Sequence, residues 1–367
     1  MQFEVKKNIL LKAISDVNGA VERKNTLSVL QNIKIDASQG KINLFATDMD
    51  ILVNSNFACE IVKEGSTTVP AQMFFDIIRK IPDSNVLINL ENPTTLQIKA
   101  GKSKYNLPCI DASEFPNLSE GELGEENEIE GEKLCRMIDK TRFAISNDET
   151  RYYLNGLFLQ AIHNEQGSEL RSVATDGHRL AIASSNSVKL TQSFGIIIPK
   201  KSVNEIRRII DGCKTVKIKV SRVKIKVITD NSTIISKLID GEFPDYEKVL
   251  PKNNQFKIKL NKKSFFDCID RVSTVANDKH RSVKLGIESN KINLQVNTTE
   301  GSFAYEELDI DFAGDKIEAG LNSRYLLEVI GQVDKEELTI NFLDGFSPAL
   351  VEANELGAVF VIMPIRL

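Results

Sequence analysis

Two stretches of this chain keep one spacing, and that spacing constrains the fold more than any single motif does. Ala46-Thr47-Asp48-Met49-Asp50-Ile51 is echoed 128 residues later by Ala174-Thr175-Asp176-Gly177-His178-Arg179. Phe115-Pro116-Asn117-Leu118 is echoed at the same offset of 128 by Phe243-Pro244-Asp245-Tyr246, and Val69-Pro70 by Ile198-Pro199 at 129. A shared offset between unrelated landmarks marks a duplicated structural unit. An isolated active site has no need of such an echo.

The apolar periods repeat as well. Ile9, Leu10, Ala13, Ile14 and Val17 recur at the helical period. Strand-like runs follow at 30–35 and 41–46, and Thr68-Val69-Pro70 opens a second helix with Met73, Phe74, Ile77, Ile78 and Ile81 as its buried face. Strands at 85–90, 95–100 and 104–109 then lead to Phe115-Pro116. The acidic segment 119–130, poor in large apolar groups, reads as a linker.

The programme then restarts with a helix at 132–144, strands at 156–162 and 170–175, and a second helix bearing Val203, Ile206, Ile209 and Ile210. An alternating hairpin at 216–229 closes this pass. A third pass gives a strand at 257–260, a helix at 264–275, strands at 282–288 and 291–297, and a second helix after Leu321-Asn322-Ser323. It ends in strands at 337–342, 349–353 and 359–363. The expectation is an α+β chain of three repeated domains at 1–122, 128–250 and 251–367, each an antiparallel sheet plus two helices.

Composition excludes several classes. A chain of 367 residues has room for more than one core. No apolar run approaches the roughly 18 residues that span a bilayer, and the N-terminus lacks a signal-peptide layout. The five cysteines are scattered and never form a C-x-x-C pair. That predicts reduced thiols in a cytoplasmic protein, with no disulfide framework, metal site or cofactor. A net charge of −4 argues against a simple nucleic-acid glue. Nucleophile elbows and phosphate loops are absent from the sequence.

Three motifs, in order on this triplicated frame, carry a resemblance. They are Thr175-Asp176-Gly177-His178-Arg179-Leu180, Gly241-Glu242-Phe243-Pro244-Asp245-Tyr246 and the terminal Val361-Ile362-Met363-Pro364-Ile365-Arg366-Leu367. Together they resemble the bacterial sliding clamps, the beta subunits of DNA polymerase III, over essentially the whole chain. The resemblance implies a processivity factor with no catalytic site of its own. It would form a head-to-tail homodimeric ring, a collar of sheets around a wall of helices, enclosing double-stranded DNA without regard to sequence. Implied partners are the replicative polymerase subunit, the clamp loader, repair and translesion polymerases, mismatch repair proteins and DNA ligase, and no membrane.

The resemblance also implies sites. A peptide cleft would use Leu154, Thr175, Gly177, His178, Arg179, Leu180, Pro244, Lys248 and Val249. Phe346, Pro348, Val361, Ile362, Met363, Pro364, Ile365 and Arg366 would complete it. Phe346 is bulkier than the family's usual aliphatic and would narrow a subsite, while Lys248 stands where arginine is common. The ring's edges would meet through Tyr105 and Leu107 on one side and Thr274 and Val275 on the other. Thr274 is less apolar than a tight interface would favour.

Helix faces give DNA candidates on their own. Lys133, Arg136 and Lys140 share one face, as do Lys200, Asn204, Arg207 and Arg208 on the other helix, and rows of cations suit phosphates. The resemblance adds Arg23 and Lys24, and Arg79 and Lys80 beside the first unit's second helical stripe, with Lys201, complete the candidates. Two rival readings remain: a hydrolase using Asp176 and His178, two apart on one strand face, and a repeat scaffold that binds no DNA.

Overall fold

A computed structural model of the chain describes residues 1–22, 27–116, 121–165, 167–276, 281–299, 301–353 and 355–366. The first pass runs β1 (Gln2–Lys6), α1 (Lys7–Asn18), β2 (Asn32–Ser38), β3 (Lys41–Thr47), β4 (Ile51–Ala58), β5 (Ile61–Lys63), β6 (Gly65–Pro70), α2 (Ala71–Lys80), β7 (Asn85–Asn92), β8 (Thr95–Ala100) and β9 (Ser103–Pro108). The second is β10 (Glu126–Glu130), α3 (Gly131–Thr141), β11 (Gly156–Asn164), β12 (Gly167–Thr175), β13 (Arg179–Ser185), β14 (Val188–Lys189), β15 (Phe194–Pro199), α4 (Lys200–Ile209), β16 (Thr215–Val220), β17 (Lys224–Ile228) and β18 (Ser232–Lys237). The third is β19 (Phe256–Asn261), α5 (Lys262–Ser273), β20 (Ser282–Glu288), β21 (Lys291–Asn297), β22 (Phe303–Asp309), β23 (Ile317–Asn322), α6 (Ser323–Gly331), β24 (Glu337–Phe342), β25 (Ala349–Glu352) and β26 (Val359–Ile362). Only the short strand represented by β5 and β14 has no described counterpart in the third pass.

The chain packs into two compact units that cut across the middle repeat. The first holds Met1–Cys135, Val188–Gln192 and Lys201–Ile239. Its larger sheet has nine strands in the order β14-β10-β16-β17-β18-β4-β3-β2-β6, so β18 and β4 join two repeats in one ladder. The second unit holds Arg136–Ser187, Ser193–Lys200 and Asp240–Leu367. There the order β15-β11-β12-β13-β26-β25-β24-β19 makes the same kind of seam between β13 and β26. Two smaller sheets, β5-β1-β7-β8-β9 and β22-β21-β20-β23, leave β9 and β22 as edge strands.

Each helix buries one stripe. In α1 the inward side chains are Leu10, Ala13, Ile14 and Val17, and the helix packs on α2 and β4. Each such Leu, Ile or Val contributes roughly 1.5–3 kcal/mol when fully buried. One buried group is polar. Asp16 accepts hydrogen bonds from Ser55 on β4 and Ser232 on β18, both at 3.3 Å, so the carboxylate lies under the first seam.

Three expectations need correction. Residues 126–130 are strand β10, because Asn127 and Ile129 alternate inward while the glutamates between them face lysines. Glu126 pairs with Lys217 at 2.7 Å, Glu128 with Lys189 at 3.0 Å and Glu130 with Lys133 at 2.9 Å. The acidic composition hid a period of two. Ile9 is exposed, and so is Met73 at 53% although it was expected in the core. The helix expected over 132–144 ends at Thr141 and tightens into a single 3-10 turn, Arg142–Ala144.

Candidate partner-binding cleft and cation-bearing helices

The two echoed stretches fold into the same turn. Asp48 Oδ1 accepts from the amides of Asp50 at 2.9 Å and Ile51 at 2.8 Å, and Asp176 Oδ1 accepts from His178 at 2.9 Å and Arg179 at 3.1 Å. The Thr47 hydroxyl donates to the Ile51 carbonyl at 2.8 Å, and that of Thr175 to the Arg179 carbonyl at 2.7 Å. Thr-Asp opens both turns because the two side chains replace backbone partners. Next comes a left-handed residue, Met49 at φ 80° and Gly177 at φ 88°. Gly177 adopts it without strain, and a Cβ there would sit 2.5 Å from Arg151 Nη1. In the third repeat Thr298 holds a looser version, accepting from the Ser302 amide at 3.0 Å.

Each turn aims its strand at a seam. Lys237 N–H donates to the Asp50 carbonyl at 2.9 Å, and Met363 N–H to the His178 carbonyl at 2.8 Å. In the second unit Arg179 stands opposite Ile362 and Leu180 opposite Val361.

Arg179 is 7% exposed, which removes it from the expected accessible lining. Its Nε donates to Asp176 Oδ2 at 3.1 Å, its Nη2 to the Phe143 carbonyl at 2.7 Å and its Nη1 to Glu328 on α6. The guanidinium also lies 4.4 Å from the Tyr325 ring centroid and 5.0 Å from that of Phe143. Burial pushes the Glu328 carboxyl up, but hydrogen bonds from Arg179 and Arg324 outweigh it and hold the group below its ordinary range. Asp176 is thus committed to two amides and to Arg179, and the His178 ring stacks on Tyr325 at 6.3 Å. The acid does not orient the imidazole, so the pair expected of a hydrolase does not form.

The remaining cleft candidates divide by exposure. Leu154, Leu180, Val361 and Ile362 are buried, since the seam strands point these side chains into the core. Thr175, Pro348, Met363, Pro364 and Ile365 are half-buried, while Gly177, His178, Pro244, Lys248, Val249, Phe346 and Arg366 are exposed. Phe346 stands 88% exposed on a turn whose amides donate to Asp344, at 2.8 Å from Phe346 and 2.6 Å from Ser347. Lys248 is paired with Asp245 at 3.0 Å. Beneath Pro244, Phe243 stacks on Phe158 with centroids 4.7 Å apart, and Tyr246 donates to Gln160 at 2.6 Å.

Three neighbours were missed by the sequence reading. Arg151 donates to the Asp176 carbonyl at 3.0 Å, Tyr325 carries the Arg179 stack, and Tyr152 is an exposed aromatic against Gly241. The adjacent pair Tyr152-Tyr153 in a polar run was the available signal.

The cation rows are neutralised to different degrees. Lys140 is 4% exposed and pairs with the Gln332 carbonyl and Asp334, so it is a buried tie rather than a phosphate contact. Its position on α3 faces the repeat junction, which helical periodicity alone did not reveal. Arg136 reaches Asp334 at 3.5 Å and also pairs with Glu355. Lys133, Arg79 and Arg207 pair locally with Glu130, Asp76 and Asp211, at 2.9, 2.8 and 2.9 Å. Lys200 donates to Asn147 at 2.7 Å, and Lys201 lies 2.5 Å from Asp48 and 3.5 Å from Glu22. Burial opposes the charge on Lys201, yet these carboxylates raise its pKa above the ordinary lysine value. Lys80 is exposed, and Arg23 and Lys24 lie outside the described residues.

Residues 1–119, 128–245 and 247–366 match, in that order, the N-terminal, central and C-terminal domains of the DNA polymerase III beta subunit family. The beta sliding clamp of Caulobacter vibrioides is 39% identical over 372 residues, covering 100% of both chains. This chain belongs to the bacterial beta sliding clamp family. The Escherichia coli clamp is 33% identical, again over 100% of both chains. Among solved structures, the Bartonella birtlesii clamp bound to griselimycin superposes with a TM-score of 0.95 at 37% identity over 100% of both chains. The Pseudomonas aeruginosa clamp bound to griselimycin gives 0.94 at 34%, also over 100% of both.

In a clamp-family chain the edge strands β9 and β22 gain weight. Tyr105 on β9 is partly accessible, but Leu107 is buried and cannot present its side chain outward. Beside β9 a groove of about 860 Å³ is lined by Met73, Ile77, Lys80, Tyr105 and Pro108. Thr274 caps α5 at the surface and Val275 is half-buried. Strand β22, absent from the expected elements, carries Phe303 and Tyr305 outward, both exposed. Their spacing of two was the signal.

Proposed function

We propose that two copies of this sliding-clamp chain join head to tail, β22 of one pairing with β9 of the other, into a ring that encloses duplex DNA in the cytoplasm. One observation carries the reading. The strand after each Thr-containing turn pairs with the last strand of the next repeat, as β4 does with β18 and β13 with β26, and β22 and β9 are the halves left over. Carrying the inner register across sets Phe303 opposite Asn106 and Tyr305 opposite Lys104. Pairing of this kind satisfies two exposed edges and closes a heterologous interface.

Within the ring, Arg23, Lys24, Lys80, Lys133, Arg136, Lys200, Lys201 and Arg207 serve the phosphates. Exposed ion pairs contribute roughly 0–1 kcal/mol each, so a phosphate can replace a local carboxylate at small cost. No base is read and no bond is made or broken.

The cleft around Gly177, His178, Pro244, Met363, Pro364 and Ile365 takes short peptides with a glutamine and a Leu-Phe end. A flexible methionine between fixed apolar walls suits a site that binds related peptides in turn. Such peptides would come from the replicative polymerase, the clamp loader, repair and translesion polymerases, mismatch repair proteins and ligase. The test is fluorescence polarisation with a labelled peptide of that kind. Saturable binding displaced by griselimycin is expected; a flat titration would overturn the assignment.

A further inference from the structure

The seams inside the chain are templates for the joint between copies. From them we infer that Asp76 and Thr274 form a size-matched contact across that joint, with Arg79 closing on the end of α5 rather than on DNA. This rests on the head-to-tail reading above.

Helices α1 and α5 are equivalent twelve-residue helices, and their C-caps are Gly19 (φ −75°, ψ −18°) and Thr274 (φ −61°, ψ −28°). Both caps are right-handed, so the backbone does not require glycine at position 19. Space does: a Cβ on Gly19 would overlap the Glu205 carboxylate of α4. Beside it Arg208 pairs with Glu205, and its Nη2 donates to the Asp16 carbonyl near the end of α1 at 2.8 Å.

Helices α4 and α2 are in turn equivalent ten-residue helices entered from Pro199 and Pro70. Glu205 and Arg208 therefore correspond to Asp76 and Arg79, while Asp16 and Gly19 correspond to Arg271 and Thr274. The contacting pair has changed on both sides at once. Glutamate against glycine inside the chain becomes the shorter aspartate against the larger threonine at the open joint.

The open surfaces fit this. Among the described residues Asp76 is held by its helix neighbours, accepting from Gln72 and Arg79, both at 2.8 Å, and the Thr274 hydroxyl donates to the Arg271 carbonyl at 2.7 Å. Met73 on α2 is 53% exposed, whereas its counterpart Ser202, already inside a seam, is 4% exposed. The difference is the missing neighbour.

The experiment is sedimentation velocity of the full chain across a dilution series, each variant first shown to melt like wild type. Asp76→Glu, which overpacks against Thr274, is expected to raise the dimer dissociation constant about ten-fold or more. Adding Thr274→Gly recreates the inner pair and should bring the constant back to within about three-fold of wild type, as coupled neighbours require. Arg79→Ala should weaken the dimer while leaving the salt dependence of DNA binding unchanged. A wild-type dimer that is indifferent to Asp76→Glu, or a double variant that fails to recover, overturns this contact alone. A wild-type chain that stays monomeric at every concentration overturns the ring reading itself.

Discussion

The amide of Met363 donates to the carbonyl of His178 over 2.8 Å, fastening the chain's last segment to the turn of its middle repeat. Lys237 and Asp50 make the same bond at 2.9 Å one repeat earlier. The Asp-His-Arg cluster that looks most like chemistry is therefore one of two copies of a joint. Arg179 is the main difference between them, because Ile51 stands at its place in the first copy.

Arg179→Ala is expected to destabilise the second unit by roughly 3 kcal/mol, because it strips a mostly buried cation from two carboxylates and a carbonyl. Urea unfolding followed by a probe in that unit reads the loss. A change below about 1 kcal/mol would mean the cluster is a solvated surface pair.

The two seams should respond to acid in opposite directions. Burial raises the Glu205 pKa above 4.5 despite Arg208 and Lys201, so its contribution is full below 4.5 and is lost as pH rises through the raised value. Glu328 is depressed below 4.5, so its contribution is full above 4.5 and is lost as pH falls through the lowered value. Hydrogen exchange, corrected for intrinsic rates, should show β4 and β18 gaining protection as pH falls toward 4.5, and β13 and β26 losing it below. Glu205→Gln should abolish the gain. Parallel behaviour of the two ladders would refute the assignment.

Lys200→Ala with Arg207→Ala should flatten the dependence of log K on log salt by about 0.9 for each phosphate that is no longer neutralised. Lys140→Ala should leave that slope alone and lower stability instead, since its ammonium is already tied to Gln332 and Asp334. Anisotropy on a short duplex at several salt concentrations separates the two. An altered slope for Lys140→Ala would return that residue to the DNA face.

Met363→Asp should weaken a clamp-binding peptide at least about ten-fold by placing a charge on a half-buried apolar wall. Phe346→Ala should change stability by no more than about 0.5 kcal/mol, its ring being exposed. Titration calorimetry with the peptide and a thermal melt decide both.

Repetition, class and helix stripes were legible because period and spacing are local properties of a sequence. Burial at a junction is not local. Lys140, Arg179 and Leu107 carry residue types suited to a surface role or an interface, and only the neighbouring repeat or the strand's own pleat withdraws them. Strand β10 was hidden because its inward side chains, Asn127 and Ile129, sit among glutamates whose lysine partners lie mostly on other strands. Met73 erred the other way: its helix stripe is real, but its own side chain stands 53% exposed.

The most direct test of the account is retention on a closed circle. The protein would be placed on nicked circular plasmid by a clamp loader with ATP, washed in salt that strips simple phosphate binders, and the plasmid then cut once. The protein is expected to stay on the circle and to run off the linear product. Equal release from circular and cut DNA would contradict it.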